Sequence, residues 1–389
     1  MQFKHLDANW HFPTNIRQGI GRFQELAECC AELGIKKPLI VTDPGLAKLD
    51  FIKKAEQVCQ GAGITSGVFS QVSSNPTEEN VQAGTEIFHQ GSHDGVIALG
   101  GGSALDAGKA IALMVGQNRP LWDFEDKNDN YKRVNVRAMA PVIAVPTTAG
   151  TGSEVGRVAV ITDPKAKCKR LIFHPNIMPK LVILDAELTL ALPDKLTAAT
   201  GMDALSHALE AYCATYFHPM AQGIALESIR LIKQYLPRAY ANGQDVEARC
   251  KVLVAATMGA TAFQRGLGAM HALAHPLGAI YNSHHGLLNA ILMPYVLKAN
   301  QSKIEQPVTR LAQYLDLPLA TFDGFLDWVL SLRHQLDIPD TLAQIGIDLS
   351  QAEIVAKMAI ADPSAMGNPI CLSQQQYHTL FESAVLGRL

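Results

Sequence analysis

Short apolar segments alternate with longer amphipathic ones along the first half of the chain. The apolar segments are typical of buried strands and cover residues 38–43, 67–72, 95–99 and 141–146. The amphipathic stretches predict helices over residues 17–33, 45–60 and 77–90, and a further helix that begins at Ser103. Strands and helices that alternate in this way form a parallel sheet with helices packed on its faces. We therefore predict an α/β fold for this half of the chain.

The pattern changes after one more apolar segment at residues 181–185. Long alanine- and leucine-rich amphipathic stretches follow, with almost no sign of strands. One of them, residues 252–263, is apolar nearly all round and too short to span a bilayer, which indicates a buried helix. Because 389 residues are more than one core usually organises, we predict an α/β domain over residues 1–186 and an all-helical domain over residues 187–389.

Charge and cysteine content argue against several partners and compartments. The 33 basic and 36 acidic residues give a formal net charge of -3 without a basic block, which disfavours nucleic acid and anionic membranes as partners. The polar N-terminal residues lack the apolar core of a signal peptide, and no apolar run reaches membrane length. The seven cysteines are scattered and form no C-x-x-C pair. We expect a soluble protein of the cytoplasm.

Two glycine- and threonine-rich turns follow predicted strands. Gly100, Gly101 and Gly102 lead into the helix at Ser103, so that backbone N–H groups and the positive helix end can approach a pyrophosphate. A tight strand-to-helix turn would look the same, and the G-x-G-x-x-G fingerprint is absent. Residues 146–154 offer three threonine hydroxyls that suit a ribose or a nicotinamide amide, although a solvated loop would look similar.

Asp43 ends the first predicted strand and bears on the choice of dinucleotide. A carboxylate in this place accepts hydrogen bonds from an adenosine ribose diol and repels a 2'-phosphate. If the cofactor is a dinucleotide, Asp43 favours NAD over NADP.

Potential metal ligands are concentrated in the predicted helical domain. Asp203 and His207 are four residues apart, so they share a helical face with Cβ atoms roughly 5 to 6 Å apart. The apolar segment that follows contains four histidines within fifteen residues: His271, His275, His284 and His285. A surface Asp–His hydrogen bond and backbone-bonded core histidines are the alternatives to a metal site. Oxygen and nitrogen donors together suit Fe(II) or Zn(II).

Four blocks taken together resemble the iron-containing (type III) alcohol dehydrogenase family over nearly the whole chain. They are residues 100–103 with Asp106 and Lys109, residues 146–154, residues 201–207, and His271-x-x-x-His275 followed by His285-Gly286. The resemblance implies a dehydroquinate synthase-like fold, with an N-terminal dinucleotide-binding α/β domain and a C-terminal all-helical metal domain. It also implies a homodimer or larger homo-oligomer.

The resemblance carries specific roles onto this sequence. The implied metal ligands are Asp203, His207, His271 and His285, with His285 preferred to His284 because the family's fourth ligand directly precedes glycine. His275 is implied beside the site, in proton transfer or nicotinamide positioning. The residues implied at the cofactor, NAD, are Asp43, Asn75, Gly101, Gly102, Ser103, Thr147, Thr148, Thr151 and Lys169.

The implied activity is metal-dependent hydride transfer between NAD(H) and a small alcohol, aldehyde or ketone. Fe(II) is the implied metal and Zn(II) an alternative. The loop at residues 122–127 and Phe263 are expected near a short substrate, with ordinary packing as the alternative. Rival hypotheses are a glycerol dehydrogenase-like enzyme, a maleylacetate reductase-like enzyme, and a nucleotide-binding protein without catalysis.

Overall fold

The computed structural model describes Phe12, residues 14–166 and residues 168–389. These residues fold into two compact units, one of them Pro13–Ala191 and the other containing Leu192–Leu389. Each unit has its own secondary-structure class.

The first unit is an α/β structure built on a six-stranded sheet. Its strands are β1 (Asn15–Gln18), β2 (Pro38–Val41), β3 (Gly67–Phe69), β4 (Gly95–Gly100), β5 (Val142–Pro146) and β8 (Leu181–Leu184), and a separate antiparallel pair is formed by β6 (Val158–Asp163) and β7 (Cys168–Phe173). Its helices are α1 (Leu26–Glu32), α2 (Asp50–Gly61), α3 (Glu78–Gln90) and α4 (Gly102–Met114). The sheet order is β1-β8-β5-β4-β2-β3, and every neighbouring pair is parallel. The parallel sheet predicted from the alternating pattern is confirmed.

Buried aliphatic side chains explain why the central strands form. Ile40, Ile97 and Ile143 are register partners across β2, β4 and β5, and none of them is exposed. All residues of these three strands are buried, as expected for parallel strands covered on both faces. Because the strands are parallel, their carboxyl ends meet at one edge of the sheet.

Two parts of the predicted pattern are wrong. Residues 17–33 do not form one helix, since β1 occupies the start of this stretch and α1 begins only at Leu26. The strand has no apolar run because it lies at the sheet edge, where the exposed Asn15 and Gln18 pair through their backbones with β8. The β6–β7 pair was also missed, although β6 alternates buried and half-buried residues with the period of two that marks a strand.

The second unit is all helical, as predicted. Its helices are α5 (Asp194–Cys213), α6 (Pro219–Ala241), α7 (Val246–Ala262), α8 (Ala269–Tyr281), α9 (His285–Tyr314), α10 (Phe322–Gln335), α11 (Ala352–Ala361) and α12 (Gln374–Leu386). Helix α5 is the centre of the unit, because every residue from Thr197 to Tyr212 is buried and α6, α7 and α9 pack around it. Polar side chains on α5 are therefore held inside protein.

The segment at residues 252–263 is largely buried, within α7 and the turn that follows it. Across the described ranges, no helix has both the length and the apolar character that crossing a membrane requires.

Candidate functional site

Four side chains of the helical unit converge on one point. Asp203, His207, His271 and His285 each present one oxygen or nitrogen atom, and these four atoms lie within 4.8 Å of one another. The first three side chains are buried, while that of His285 keeps 24% of its surface exposed. One carboxylate and three imidazoles at this spacing form a candidate metal centre.

Three helices position these groups. Asp203 and His207 lie one turn apart on the buried α5, whereas His271 lies in the first turn of α8 and His285 is the first residue of α9. The rings of His207 and His271 stack with centroids 4.8 Å apart, and the ring of Phe263 lies 5.2 Å from that of His207. Helix packing therefore brings together groups that are up to 82 residues apart in sequence.

The geometry shows which of the two adjacent histidines at the start of α9 faces the cluster. His284 is exposed and serves as the N-cap of the helix, where its Nδ1 accepts from the N–H of Leu287 at 3.4 Å. His285 faces the cluster, with its Nε2 3.8 Å from Asp203 Oδ1. The residue directly before glycine is the one that the structure places in the cluster.

Gly286 explains why α9 can approach α5 so closely. A Cβ atom at this position would lie 2.4 Å from the carbonyl oxygen of Ala199 and 2.9 Å from Cβ of Asp203. Backbone on α5 cannot yield as the end of a flexible side chain can. A residue without a side chain is therefore required beside His285.

His275 lies next to the cluster but is outside the group of four converging residues. Its Nδ1 is 2.8 Å from Oδ2 of Asp362, and its ring stacks on that of His285 with centroids 5.3 Å apart. Because a carboxylate only accepts, the imidazole donates its Nδ1 proton. Burial alone would raise the pKa of Asp362, but the charge of His275 and this hydrogen bond hold that pKa below its ordinary value.

The sequence patterns did not predict two further polar residues that lie at the cluster. The buried carboxylate of Glu210 lies 2.7 Å from Nδ1 of His271. The buried amide nitrogen of Asn289 lies 2.9 Å from Asp203 Oδ1 and 3.2 Å from Nε2 of both His271 and His285. Spacing could have found both, since Glu210 follows His207 by three residues and Asn289 follows His285 by four on the same helices.

Carboxylates around the cluster shift the protonation of His271. Burial alone would lower its pKa, but the hydrogen bond to Glu210 and the charges of Glu210, Asp203 and Asp362 raise the pKa above its ordinary value. The site therefore favours positive charge, and a bound cation would compete with a proton on this imidazole.

In the α/β unit, the residues predicted at the cofactor gather at the carboxyl edge of the sheet. Gly101 is the N-cap of α4, and no side chain caps that helix end. The backbone N–H of Thr147 donates to Gly100 O at 3.0 Å, which joins the ends of β4 and β5. A Cβ at Gly102 would lie 2.6 Å from Cγ2 of Thr151, so glycine is needed for this close approach.

The other predicted cofactor residues surround this turn. Asp43 Oδ1 accepts from the N–H groups of Gly45 and Leu46 at 2.8 and 3.0 Å, and a Cβ at Gly100 would lie 3.8 Å from Asp43 Oδ2. A Cβ at Gly101 would lie 3.4 Å from Cγ2 of Thr148. The Asp43 carboxylate therefore lies against the start of the glycine turn.

Ser103 and Lys169 connect two more segments to the same edge. Ser103 Oγ donates to Ser74 O at 2.5 Å, next to Asn75. Lys169 pairs in register with Thr162, whose N–H donates to Pro76 O at 2.7 Å. The nine predicted residues thus lie on loops, on the first turn of α4 and on β7, and these contacts link the segments that carry them.

A buried ion pair fixes the threonine-rich loop. Lys109 is fully buried and lies 3.1 Å from Asp106 Oδ1, and its ammonium donates to the carbonyls of Ser153 and Val158 at 3.0 and 2.5 Å. Asp106 in turn accepts from Ser153 Oγ at 2.6 Å and from Val160 N–H at 3.2 Å. Losing one partner of such a pair costs roughly 3–5 kcal/mol, so α4 and the loop are held as one piece.

The loop at residues 122–127 is tied to its own unit by Trp122. The indole N–H of Trp122 donates to Glu78 Oε2 at 2.8 Å. The guanidinium carbon of Arg170 lies 5.0 Å from the centroid of the Trp122 ring. These contacts with Glu78 and Arg170 are sufficient to explain the position of the Trp122 side chain.

Comparisons with known proteins find family matches in both the α/β part and the helical part of the chain. The family model described as iron-containing alcohol dehydrogenase matches residues 13–186, and the model of the C-terminal part of the Fe-containing alcohol dehydrogenase family matches residues 197–385. The chain is 36% identical to 4-hydroxybutyrate dehydrogenase of Cupriavidus necator over 96% of this chain and 99% of that protein. It is 33% identical to NAD-dependent methanol dehydrogenase of Bacillus methanolicus over 97% and 100% of the two chains.

Solved structures give the same result for the fold. A 1,3-propanediol oxidoreductase superposes with a TM-score of 0.90 at 32% identity, covering 97% of this chain and 99% of the other. Sulfoacetaldehyde reductase from Bifidobacterium kashiwanohense, solved in complex with NAD+, superposes with a TM-score of 0.87 at 28% identity and the same coverage.

Replacing Gly286 with alanine tests the close approach of α9 to α5. The added methyl group would meet the carbonyl of Ala199, so we expect a stability loss of about 1–3 kcal/mol and a lower metal content. Urea unfolding and metal analysis measure the two effects. The control is Gly223→Ala on the exposed face of α6, where a Cβ meets nothing within 4 Å and stability should hold or rise by about 0.5–1 kcal/mol. Equal stability and equal metal content in the two variants would show that the close approach at Gly286 does not limit either property.

Proposed function

The chain belongs to the iron-containing alcohol dehydrogenase family, and on this premise we propose how its residues serve an NAD(H)-linked alcohol dehydrogenase. The enzyme interconverts a small primary or secondary alcohol and its aldehyde or ketone by hydride transfer. The observation that carries the proposal is the convergence of the Asp203 carboxylate with three imidazoles in the helical unit.

Asp203, His207, His271 and His285 fit one divalent metal ion. Three nitrogen donors and one oxygen donor suit Fe(II), the metal of the family name, and they also suit Zn(II). A metal ion held there supplies Lewis-acid polarisation of the alcohol or carbonyl oxygen. The chain contributes a buried, carboxylate-rich setting in which positive charge is favoured.

We assign proton transfer in this reaction to His275. Its Nδ1–H is held by Asp362, so the ring is oriented and its Nε2 is left to accept or release a proton. The imidazole is partly exposed, with 18% of its side-chain surface accessible, which leaves a path for proton exchange with water. His275 also stacks on His285, so it lies beside the metal ligands.

The α/β unit would hold the nicotinamide cofactor, which would supply the hydride chemistry. The uncapped N-terminus of α4 and the N–H groups around Gly101 and Gly102 would bind its pyrophosphate. Asp43 selects NAD through the adenosine ribose diol. The remaining residues assigned to the cofactor are Asn75, Ser103, Thr147, Thr148, Thr151 and Lys169. We accordingly assign dinucleotide binding to residues 1–186 and metal binding to residues 187–389.

A maleylacetate reductase-like reaction on an acidic substrate finds less support. It would call for cationic side chains near the metal ligands, and Arg265, close to them in sequence, donates instead to the carbonyls of Ala211, Tyr212 and Tyr216. With the ring of Phe263 against His207, a short and largely apolar alcohol is the substrate class that we favour.

We place the enzyme in the cytoplasm as a homodimer or larger homo-oligomer. No disulfide links any of the seven cysteines, all of which lie in described parts of the chain, and this agrees with a reducing compartment.

Metal loading tests the proposed function. Protein stripped by a chelator under anaerobic conditions is reloaded with Fe(II), Zn(II) or nothing, and NADH oxidation is followed with a panel of short aldehydes and ketones. We expect turnover only with metal. His285→Ala should abolish stoichiometric metal binding, whereas His284→Ala, at the exposed neighbour, should keep it. Equal turnover without metal would reject the metal's role, and binding of neither metal nor NADH would reject the dehydrogenase.

Asp43→Asn tests the choice of cofactor. The amide keeps an oxygen for the N–H groups of Gly45 and Leu46 but removes the charge that repels a 2'-phosphate. Losing a repulsion of about 1.4 kcal/mol would raise the ratio of kcat/KM for NADPH to that for NADH about tenfold. Asp50→Asn at the start of α2 is the control with the same loss of charge. An unchanged ratio would remove Asp43 from cofactor selection.

His275→Ala tests the assignment of the proton. Loss of a general acid–base group should lower kcat by about 100-fold while the metal stoichiometry stays unchanged. His334→Ala, an exposed histidine on α10, is the matched control and should keep full turnover. Wild-type turnover of His275→Ala would end the proposed role.

A further inference from the structure

Glu210 is a buried carboxylate beside the metal cluster. It lies on α5 three residues after His207 and seven after Asp203, so all three side chains share one face of the helix. Its side chain is 5% exposed. Within the described ranges, its one ion-pair partner at 4.0 Å or less is His271. A carboxylate is costly to bury in this way unless hydrogen-bond donors surround it.

Three N–H groups donate hydrogen bonds to this carboxylate. Oε2 accepts from the backbone N–H of Gly268 and from Nδ1 of His271, and Oε1 accepts from the backbone N–H of Met270, each at 2.7 Å. The two backbone donors belong to the N-terminus of α8, whose first N–H groups have no partners within the helix. One side chain therefore both caps α8 and holds the imidazole that α8 carries.

The bond to His271 sets which nitrogen can bind a metal. Because an ionised carboxylate only accepts, it keeps the proton of His271 on Nδ1. The lone pair is then on Nε2, which lies 3.2 Å from the amide nitrogen of Asn289 and faces the cluster. Carboxylates that hold the second nitrogen of a ligand histidine fix its tautomer and ring orientation.

Asn368 provides a comparison within the same helix end. Its Oδ1 accepts from the N–H of Ala269 at 3.1 Å and from Nδ2 of Asn300 at 2.8 Å. Asn368 thus helps to cap α8 and is itself buried, but no hydrogen bond recorded among the described residues joins it to a proposed metal ligand. Capping of α8 and orientation of His271 can be separated by comparing the two residues.

We propose that Glu210 is a positioning residue of the metal site, which fixes His271 as an Nε2 ligand through its Nδ1 proton. This inference rests on the proposed function, because it requires that the cluster binds a divalent metal. It adds Glu210 to the machinery of the site without contact to the substrate.

The test compares Glu210→Gln with Asn368→Ala in the full chain, using Co(II) as the metal probe. Affinity is obtained from competition with a chelator, and the visible absorption of bound Co(II) reports the ligand geometry. We expect Glu210→Gln to weaken binding about 10- to 100-fold and to change the absorption spectrum. Asn368→Ala should lower the urea midpoint of the metal-free protein while leaving the affinity within about threefold and the spectrum unchanged.

Further variants keep the test decisive. Glu227→Gln, which removes a half-buried carboxylate bonded to Arg230 and Tyr314 and outside the metal cluster, should match the wild type in Co(II) affinity and spectrum. If Glu210→Gln does not fold, Glu210→Asp retains the charge but draws it back by one methylene, and it should weaken Co(II) binding in the same direction.

The outcomes separate the inference from the proposed function. Wild-type affinity and spectrum in Glu210→Gln, or an equal loss of affinity in Asn368→Ala, would overturn the role of Glu210 while leaving the metal site in place. Failure of the wild-type chain to bind Co(II), Fe(II) or Zn(II) would overturn both.

Discussion

The structure of the helical unit depends on keeping one carboxylate and three imidazoles close together inside protein. Their donor atoms lie within 4.8 Å of one another, and three of the four side chains are buried. Polar groups in such a place are costly unless they are hydrogen-bonded or bind an ion. Helices α5, α8 and α9 must therefore keep a fixed register, which small residues make possible where Gly286 approaches the backbone of Ala199.

A different constraint organises the α/β unit. Parallel strands bring all their carboxyl ends to one edge, so loops that are far apart in sequence become neighbours there. The buried Lys109–Asp106 pair then fixes the loop after β5 against α4 through the carbonyls of Ser153 and Val158. The N-terminus of α4 at this edge has no side-chain cap, so its backbone N–H groups can bind an anionic ligand.

Sequence patterns predicted those features that are encoded within single elements. The spacing of Asp203 and His207 specifies a shared helical face, and runs of aliphatic residues specify the central strands. Edge strand β1 was missed because its pairing with β8 is a backbone interaction that leaves no apolar pattern in Asn15–Gln18. Asp362 could not have been found in this way, since only the packing of the chain end brings it 2.8 Å from His275, 87 residues away.

Helix ends impose an electrostatic demand on the cluster that explains its surplus of carboxylates. His271 and His285 both lie in the first turn of a helix, where the aligned backbone dipoles place about half a positive charge. Two such ends would repel a divalent cation if nothing offset them. Glu210 accepts the N–H groups at the start of α8, Asp203 faces the imidazoles directly, and Asp362 acts through His275. Carboxylates at the start of α8 and beside the ligand imidazoles thus oppose the positive potential of the two helix ends. The carboxylates outside the ligand set are therefore part of what allows a cation to bind there.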